Sequence, residues 1–243
     1  MLLEVDRLTK SFGGLMALNG ISFSVAEGQV VGLIGPNGSG KSTAFNVITG
    51  TFPPSSGKII FQGEEITRLP AHQVAIRGIA RTFQLVKPFL HLTALQNVMA
   101  GRMFGRQPAS SEREARQEAI EILTFIGLAD KSHLKAKALT IMDRKRLELG
   151  RALATRPKLL LLDEFMAGLT PAEVQAAMRL ISELRTQGVT VIVVEHIVKA
   201  VLNLCDGVIV LNAGQKIAEG PPSEISSNPA VITAYLGPKY ATG

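Results

Sequence analysis

Gly35-Pro36-Asn37-Gly38-Ser39-Gly40-Lys41-Ser42-Thr43 gathers glycines, a lysine and hydroxyls in one short run. The run fits the P-loop pattern of glycine, four free positions, then Gly-Lys-Ser. An apolar stretch, Val30 to Ile34, precedes it and Phe45-Asn46-Val47-Ile48 follows, so the spacing predicts strand, loop and helix in the order that the motif needs. Glycines let the backbone wrap with its N–H groups pointing inward. The helix that follows adds its positive N-terminal end, worth about 0.3–2 kcal/mol toward an anion. Lys41 is expected on the outer phosphates and the Ser42 hydroxyl on Mg2+. The competing reading is a ligand-free glycine turn; the flanking strand and helix favour a nucleoside triphosphate.

Other candidates for chemistry sit at the ends of apolar runs. Lys158 to Leu162 leads into Asp163-Glu164. A carboxylate there suits a hard cation that prefers oxygen ligands, and its neighbour, pointing to the other side of the chain, suits a base for attacking water. Two solvated acids closing a strand are the plain alternative. Gly78 to Phe83 leads into Gln84, and Val189 to Val194 leads into Glu195-His196. A lone histidine is more often structural, although at a strand end His196 can reach a γ-phosphate. Phe12 lies in the turn Ser11-Phe12-Gly13-Gly14, where an exposed ring stacks on a base for about 1–3 kcal/mol or simply joins the core.

The elements that must position these residues are also legible. Leu2 to Asp6 and Ile21 to Val25 alternate apolar and polar positions around that turn, as antiparallel strands do. Lys58 to Phe61 reads as a short strand. From residue 88 to 156 the pattern is helical without strands, which predicts an inserted helical subdomain within an α/β core formed by 1–87 and 157–243. Ser111 with Glu114 reads as a capping box opening a helix that Gly127 closes, and a second helix spans about Asp143 to Ala154. Thr170-Pro171-Ala172-Glu173 is another capping box, heading a helix that stops at Gly188. A hairpin around Asn212 to Gln215 and short helices after Pro222 and Pro229 finish the chain.

Composition sets the outer bounds. The 243 residues, 46% of them hydrophobic, suffice for one large α/β domain with an insertion. The single cysteine, Cys205, rules out an internal disulfide and fits a reducing, cytosolic setting. The opening residues carry no signal-like pattern and no stretch approaches the ~20 apolar residues that span a bilayer, so the chain is not expected to cross a membrane by itself. Its net charge of +6, densest at Arg144-Lys145-Arg146, suits a solvated surface, phosphate ligands or an anionic membrane face equally.

P-loop, Gln84, helical insertion, Leu162-Asp163-Glu164 and His196 follow one another as in the nucleotide-binding subunits of ABC transporters, and the resemblance covers essentially the whole chain. Phe12-Gly13-Gly14, Arg81-Thr82-Phe83-Gln84, Ala167 to Pro171 and the ending Asn228 to Gly237 resemble one branch, the ATPases of branched-chain amino-acid uptake. The resemblance implies a P-loop NTPase (RecA-like) core with an antiparallel β subdomain and the helical subdomain. It implies ATP and Mg2+ as cofactors and Phe12 as the adenine-stacking ring. Gly35, Pro36, Asn37, Gly38, Ser39, Gly40, Lys41, Ser42 and Thr43 would hold the nucleotide. Ser42, Gln84 and Asp163 would hold the metal, with Glu164 as general base and His196 as γ-phosphate sensor. It further implies transmembrane permease subunits, a second ATP-binding subunit closing head to tail, an extracytoplasmic solute-binding protein acting indirectly, no nucleic acid, and a peripheral place on the cytoplasmic face of the inner membrane.

The family's Leu-Ser-Gly-Gly-Gln segment, which completes the partner's site, aligns here with Leu139-Thr140-Ile141-Met142-Asp143. Thr140 keeps a hydroxyl for the partner's nucleotide. Ile141 and Met142 add side chains where bare backbone usually approaches, and Asp143 is expected to bring like charge, offset by Arg144-Lys145-Arg146. Phe165 replaces a usual proline, Thr170 a usual Asp or Asn, and Ile197 a usual Asp. These departures lead to the expectation of a heterodimer with a second ATPase subunit. The alternatives to import are an export ATPase, such as that of lipopolysaccharide transport, and a non-transport regulatory nucleotide module. Soluble DNA-repair and translation relatives usually carry a long coiled coil or tandem cassettes, and neither is seen.

Overall fold

The computed structural model describes residues 1–84 and 86–236 and divides into two compact units, 1–71 with 166–236 and 72–165. Gly237, the last residue of the C-terminal resemblance, lies outside the described residues. The first unit opens with β1 (Leu3–Phe12) and β2 (Leu15–Val25), an antiparallel pair whose buried Leu3, Val5, Leu8 and Leu18, Ile21, Phe23 form one face. Phe12 is the last residue of β1 and not part of the turn, because Gly13 supplies the positive φ that a tight connection needs. β3 (Val30–Ile34) is buried at every position, as a strand covered on both faces must be. It runs through Gly35 to Gly40 into α1 (Lys41–Ile48). β4 (Ser56–Phe61) and β5 (Glu64–Glu65) complete an antiparallel sheet in the order β2-β1-β4-β5.

The second unit begins within α2 (Ala71–Arg77), after its first residue, and continues into β6 (Ile79–Arg81). α3 (Ala94–Phe104) starts at a reciprocal Thr93/Gln96 capping box. α4 (Glu112–Phe125) is capped by Ser111, which accepts the Glu114 N–H at 3.2 Å. The reciprocal half expected from sequence is absent. Glu114 instead takes the Ser110 N–H at 2.8 Å and the Ser110 hydroxyl with the same oxygen, two bonds in place of one. Ala115, Ala119 and Leu123 recur at four-residue spacing and are buried. Arg102 is buried and paired with Glu118, which also accepts from Arg156 at 2.7 Å, tying α3 to α4 and to the chain beyond α5. α5 (Ile141–Ala154) leads to β7 (Leu159–Asp163), which pairs in parallel with β6 through Ile79, Ala80 and Arg81.

The chain then returns to the first unit. α6 (Pro171–Thr186) begins at Thr170, whose hydroxyl accepts from Glu173 N–H while the Glu173 carboxylate takes Thr170 N–H, both halves of the box expected from sequence. β8 (Thr190–Val194), α7 (Val198–Leu204), β9 (Gly207–Asn212) and β10 (Gln215–Gly220) follow, then α8 (Pro222–Ser227) and α9 (Pro229–Leu236). Within this unit β3 lies between β8 and β9, parallel to both, and β10 closes a hairpin on β9. The α/β class and the antiparallel subdomain are those expected. In the first unit Gly35 and His196, and in the second Gln84 and Glu164, follow the carboxyl ends of parallel strands, where open α/β sheets present their ligand crevices.

Candidate functional site

In the first unit the P-loop is fixed by close packing. A side chain at Gly35 would put its Cβ 2.0 Å from the Leu211 carbonyl oxygen, and one at Gly40 would put it 2.7 Å from that of Ala17. Gly38 and Gly40 adopt φ of 77° and 107°, conformations that L side chains rarely take. Gly214 N–H donates to Ser39 O at 3.1 Å, so the β9–β10 hairpin braces the loop from outside. Lys41 is buried, and its ammonium donates to the carbonyls of Gly35 at 2.8 Å and Pro36 at 2.9 Å. A cation is thereby held against the loop at the start of α1, where N–H groups point outward. Ser42 is exposed in the first turn of that helix.

His196 stands exposed two residues beyond β8, on the strand that neighbours β3. Glu195 is buried and accepts the Met166 N–H at 2.6 Å, tethering the start of the Met166 to Thr170 segment. Phe12, 43% exposed, packs edge-on against Phe52 at 5.5 Å, with the Lys10 ammonium 4.9 Å from its centroid. An exposed ring beside a cation is available for stacking.

The second unit brings the carboxylates and the glutamine together. Asp163 ends β7 and is buried; its carboxylate meets Arg81 at 3.0 Å, and its N–H donates to the Thr82 hydroxyl at 3.2 Å. Burial lowers Arg81 below its ordinary value, against the pull of Asp163. Glu164 does not continue the strand: its φ is +52°, a left-handed conformation unusual for a side-chain-bearing residue. That turn aims its carboxylate at Gln84, whose amide nitrogen donates to Glu164 Oε2 at 2.7 Å. Gln84 lies past β6, which ends at Arg81, so this bond and not the strand locates it. Phe165 is buried, with its carbonyl accepting from Lys145 at 3.3 Å.

The sequence of residues 18–167 matches the family described as ABC transporter, and residues 215–237 match the one described as branched-chain amino acid ATP-binding cassette transporter. The chain belongs to the ABC transporter ATP-binding family. This cassette is 42% identical to the high-affinity branched-chain amino acid transport ATP-binding protein BraF of Pseudomonas aeruginosa, over 97% of the chain and 98% of that protein. It is 38% identical to LivG of Escherichia coli, with the same two coverages. Among solved structures, the ADP conformation of MJ1267, an ATP-binding cassette of an ABC transporter, superposes with a TM-score of 0.88 at 35% identity, covering 97% of this chain and 98% of that one. The dimeric post-hydrolysis state of MJ0796 bound to ADP and Pi matches at 0.82 and 28% identity, over 90% and 98%. The cassette is an ATPase that binds adenine nucleotide.

At the segment Leu139 to Asp143 the cassette departs from what its sequence suggested. Asp143 does not carry its charge outward. It is buried, and its carboxylate is 2.8 Å from the Lys131 ammonium, whose hydrogen bond and charge hold it below the usual carboxylate range despite burial. Thr140 is the N-cap of α5 and accepts the Asp143 N–H at 3.1 Å. Two of the basic residues that follow make hydrogen bonds elsewhere. Arg144 donates to the carbonyls of Ala136 and Lys137, and Lys145 reaches Phe165. What this surface offers is Ile141, 78% exposed at the first turn of α5.

In the second unit the Asp163 carboxylate, and in the first the Ser42 hydroxyl, each offer oxygen of the kind that suits Mg2+, a hard cation usually held by one or two carboxylates with substrate phosphates. Among the described residues no group of three or more His, Cys, Asp or Glu could hold an ion alone. Cys205 is not a competing nucleophile, since burial and Asp206 push its thiol up to about 12.

Sequence reasoning passed over Arg81, Lys131, Glu148 and Glu195 as individual actors. Glu148 left a signal: an acid between Leu147 and Leu149 on a helix whose neighbouring positions are apolar. Burial pushes it up to about 7, against the Phe83 N–H and the Arg151, Arg81 and Lys145 cations. With its folded value above the unfolded one, this carboxyl stabilises the fold most below pH ~4.5, and that contribution is lost as pH rises through about 7. Glu148→Gln is accordingly expected to match the parent chain near pH 4.5 and to be the more stable of the two at pH 8. Urea unfolding at the two pH values measures the difference.

Proposed function

We propose that this cassette powers an importer for branched-chain amino acids or a related small solute. It would sit on the cytoplasmic face of the inner membrane against transmembrane permease subunits and pair with a second ATP-binding subunit. The observation that supports the site's part of this reading is the Gln84–Glu164 hydrogen bond, which joins a polar amide beyond β6 to a carboxylate beyond β7. Lys41 binds the outer phosphates, Phe12 stacks on the adenine, and His196 contacts the γ-phosphate. Glu164 takes the proton from the attacking water, and Gln84 orients that water and relays its state toward the permease. Ser42 of the first unit and Gln84 and Asp163 of the second would hold Mg2+, which would supply Lewis-acid charge stabilisation when bound. BraF and LivG are high-affinity branched-chain amino acid transport ATP-binding proteins, and identity spanning both chains favours amino-acid transport over lipopolysaccharide export and a regulatory module.

The altered segment supports a heterodimer. Ile141 and Met142 stand where a close backbone approach would be needed, so one good site would combine this P-loop with the partner's segment and a weaker one would use Thr140. The test is extraction from membranes with identification of the bound subunits, followed by ATPase assay of the chain alone and with them. A permease and a second, different ATP-binding subunit are expected, with turnover rising at least tenfold in their presence. Full turnover by the isolated chain would remove the heterodimer, and absence of any permease would remove the transport reading.

A further inference from the structure

Glu148 is a buried carboxylate, 4% exposed, that no step above uses. Its Oε1 accepts the backbone N–H of Phe83, the residue before Gln84, at 3.2 Å. The charged groups facing it are Arg81 from β6 and Arg151 and Lys145 from its own helix. Each arginine holds one flank of the Gln84 segment. Arg81 donates through Nε to Thr82 O at 3.2 Å and lies 4.6 Å from the Phe83 ring centroid. Arg151, one turn beyond Glu148, donates to Lys87 O at 2.9 Å and stacks on Phe89 at 4.7 Å. Asn97 closes the far side, accepting Phe89 N–H at 2.9 Å.

We propose that Glu148 is the positioning residue of the Gln84 segment, anchoring its backbone at Phe83 N–H to α5, the helix that Thr140 caps. A loop that carries a functional side chain is precise only when its own backbone is held by supporting contacts. Here the support comes from α5, so a displacement of this helix reaches Phe83 N–H and, one residue on, the amide that bonds Glu164. This deepens the role assigned above to Gln84 and rests on it for its functional consequence, but not for the contact itself.

The experiment uses the full chain without nucleotide and follows amide hydrogen exchange at Phe83 and Gln84 in Glu148→Ala and Glu148→Gln. The alanine variant should speed exchange there about tenfold while α4 keeps its protection, and the glutamine variant, which retains an acceptor, should stay within about twofold of the parent. With the permease and second ATP-binding subunit present, the alanine variant should lower kcat about five- to tenfold with KM for ATP unchanged, and glutamine should restore most of it. Unchanged Phe83 exchange in a folded alanine variant overturns the inference, as does loss of protection spread equally over α4. If the alanine variant does not fold, Glu148→Asp decides by the same exchange: it keeps the charge but withdraws the acceptor. Unchanged turnover in Gln84→Ala would remove the Gln84 role alone, leaving the anchoring to be judged by exchange at Phe83.

Discussion

Lys41→Ala is expected to remove much of the stabilisation that the chain gains from ATP. A ligand at a hundred times its Kd raises folding stability by about 2.7 kcal/mol, and thermal unfolding with and without Mg·ATP reads that gain directly. The ammonium sits buried against the Gly35 and Pro36 carbonyls, so the loop presents it already ordered and binding costs little side-chain entropy. The charge-assisted hydrogen bond that the ammonium can give a phosphate oxygen, worth about 1.5–3 kcal/mol, disappears with it, and affinity falls by about 10- to 100-fold. The loop itself survives the substitution, because its path is set by Gly35 and Gly40 against the carbonyls of Leu211 and Ala17. An alanine variant stabilised by ATP as strongly as the parent would contradict this role.

Glu164→Gln separates binding from hydrolysis. The amide keeps a carbonyl oxygen for the Gln84 nitrogen, which now sits 2.7 Å from Glu164 Oε2, so the local geometry persists while the base is lost. General-base catalysis contributes on the order of 10²–10⁴-fold, and kcat in the assembled transporter should fall by that amount with ATP affinity kept within a few-fold. Turnover within tenfold of the parent would assign the proton transfer elsewhere.

How much of this was readable in the residues follows from the range of the interactions involved. The P-loop could be read because strand, glycines and helix start are consecutive, and the Thr170/Glu173 box because both its bonds span three residues. Ser111 and Glu114 read identically, yet Glu114 turned to Ser110, a choice made by a neighbour offering two donors where the cap offers one. Contacts between distant positions left no such trace. Arg81 and Asp163 lie 82 residues apart, and Phe83 and Glu148 65. Asp143 misled for the same reason. Local sequence places it beside three basic residues, but its charge is settled by Lys131, twelve positions earlier, and by burial. Phe12 is exposed, one of the two readings its turn left open, but it belongs to β1, since the sequence marks the glycine turn and not the last paired residue of the strand.

Calorimetric titration of Mg·ATP into the full, unmodified chain, with Lys41→Ala as control, tests the central claim most directly. A saturable heat at one nucleotide per chain, with affinity lowered about 10- to 100-fold in the control, is the predicted result. No saturable heat from well-folded chain, or equal affinity in both proteins, would contradict it.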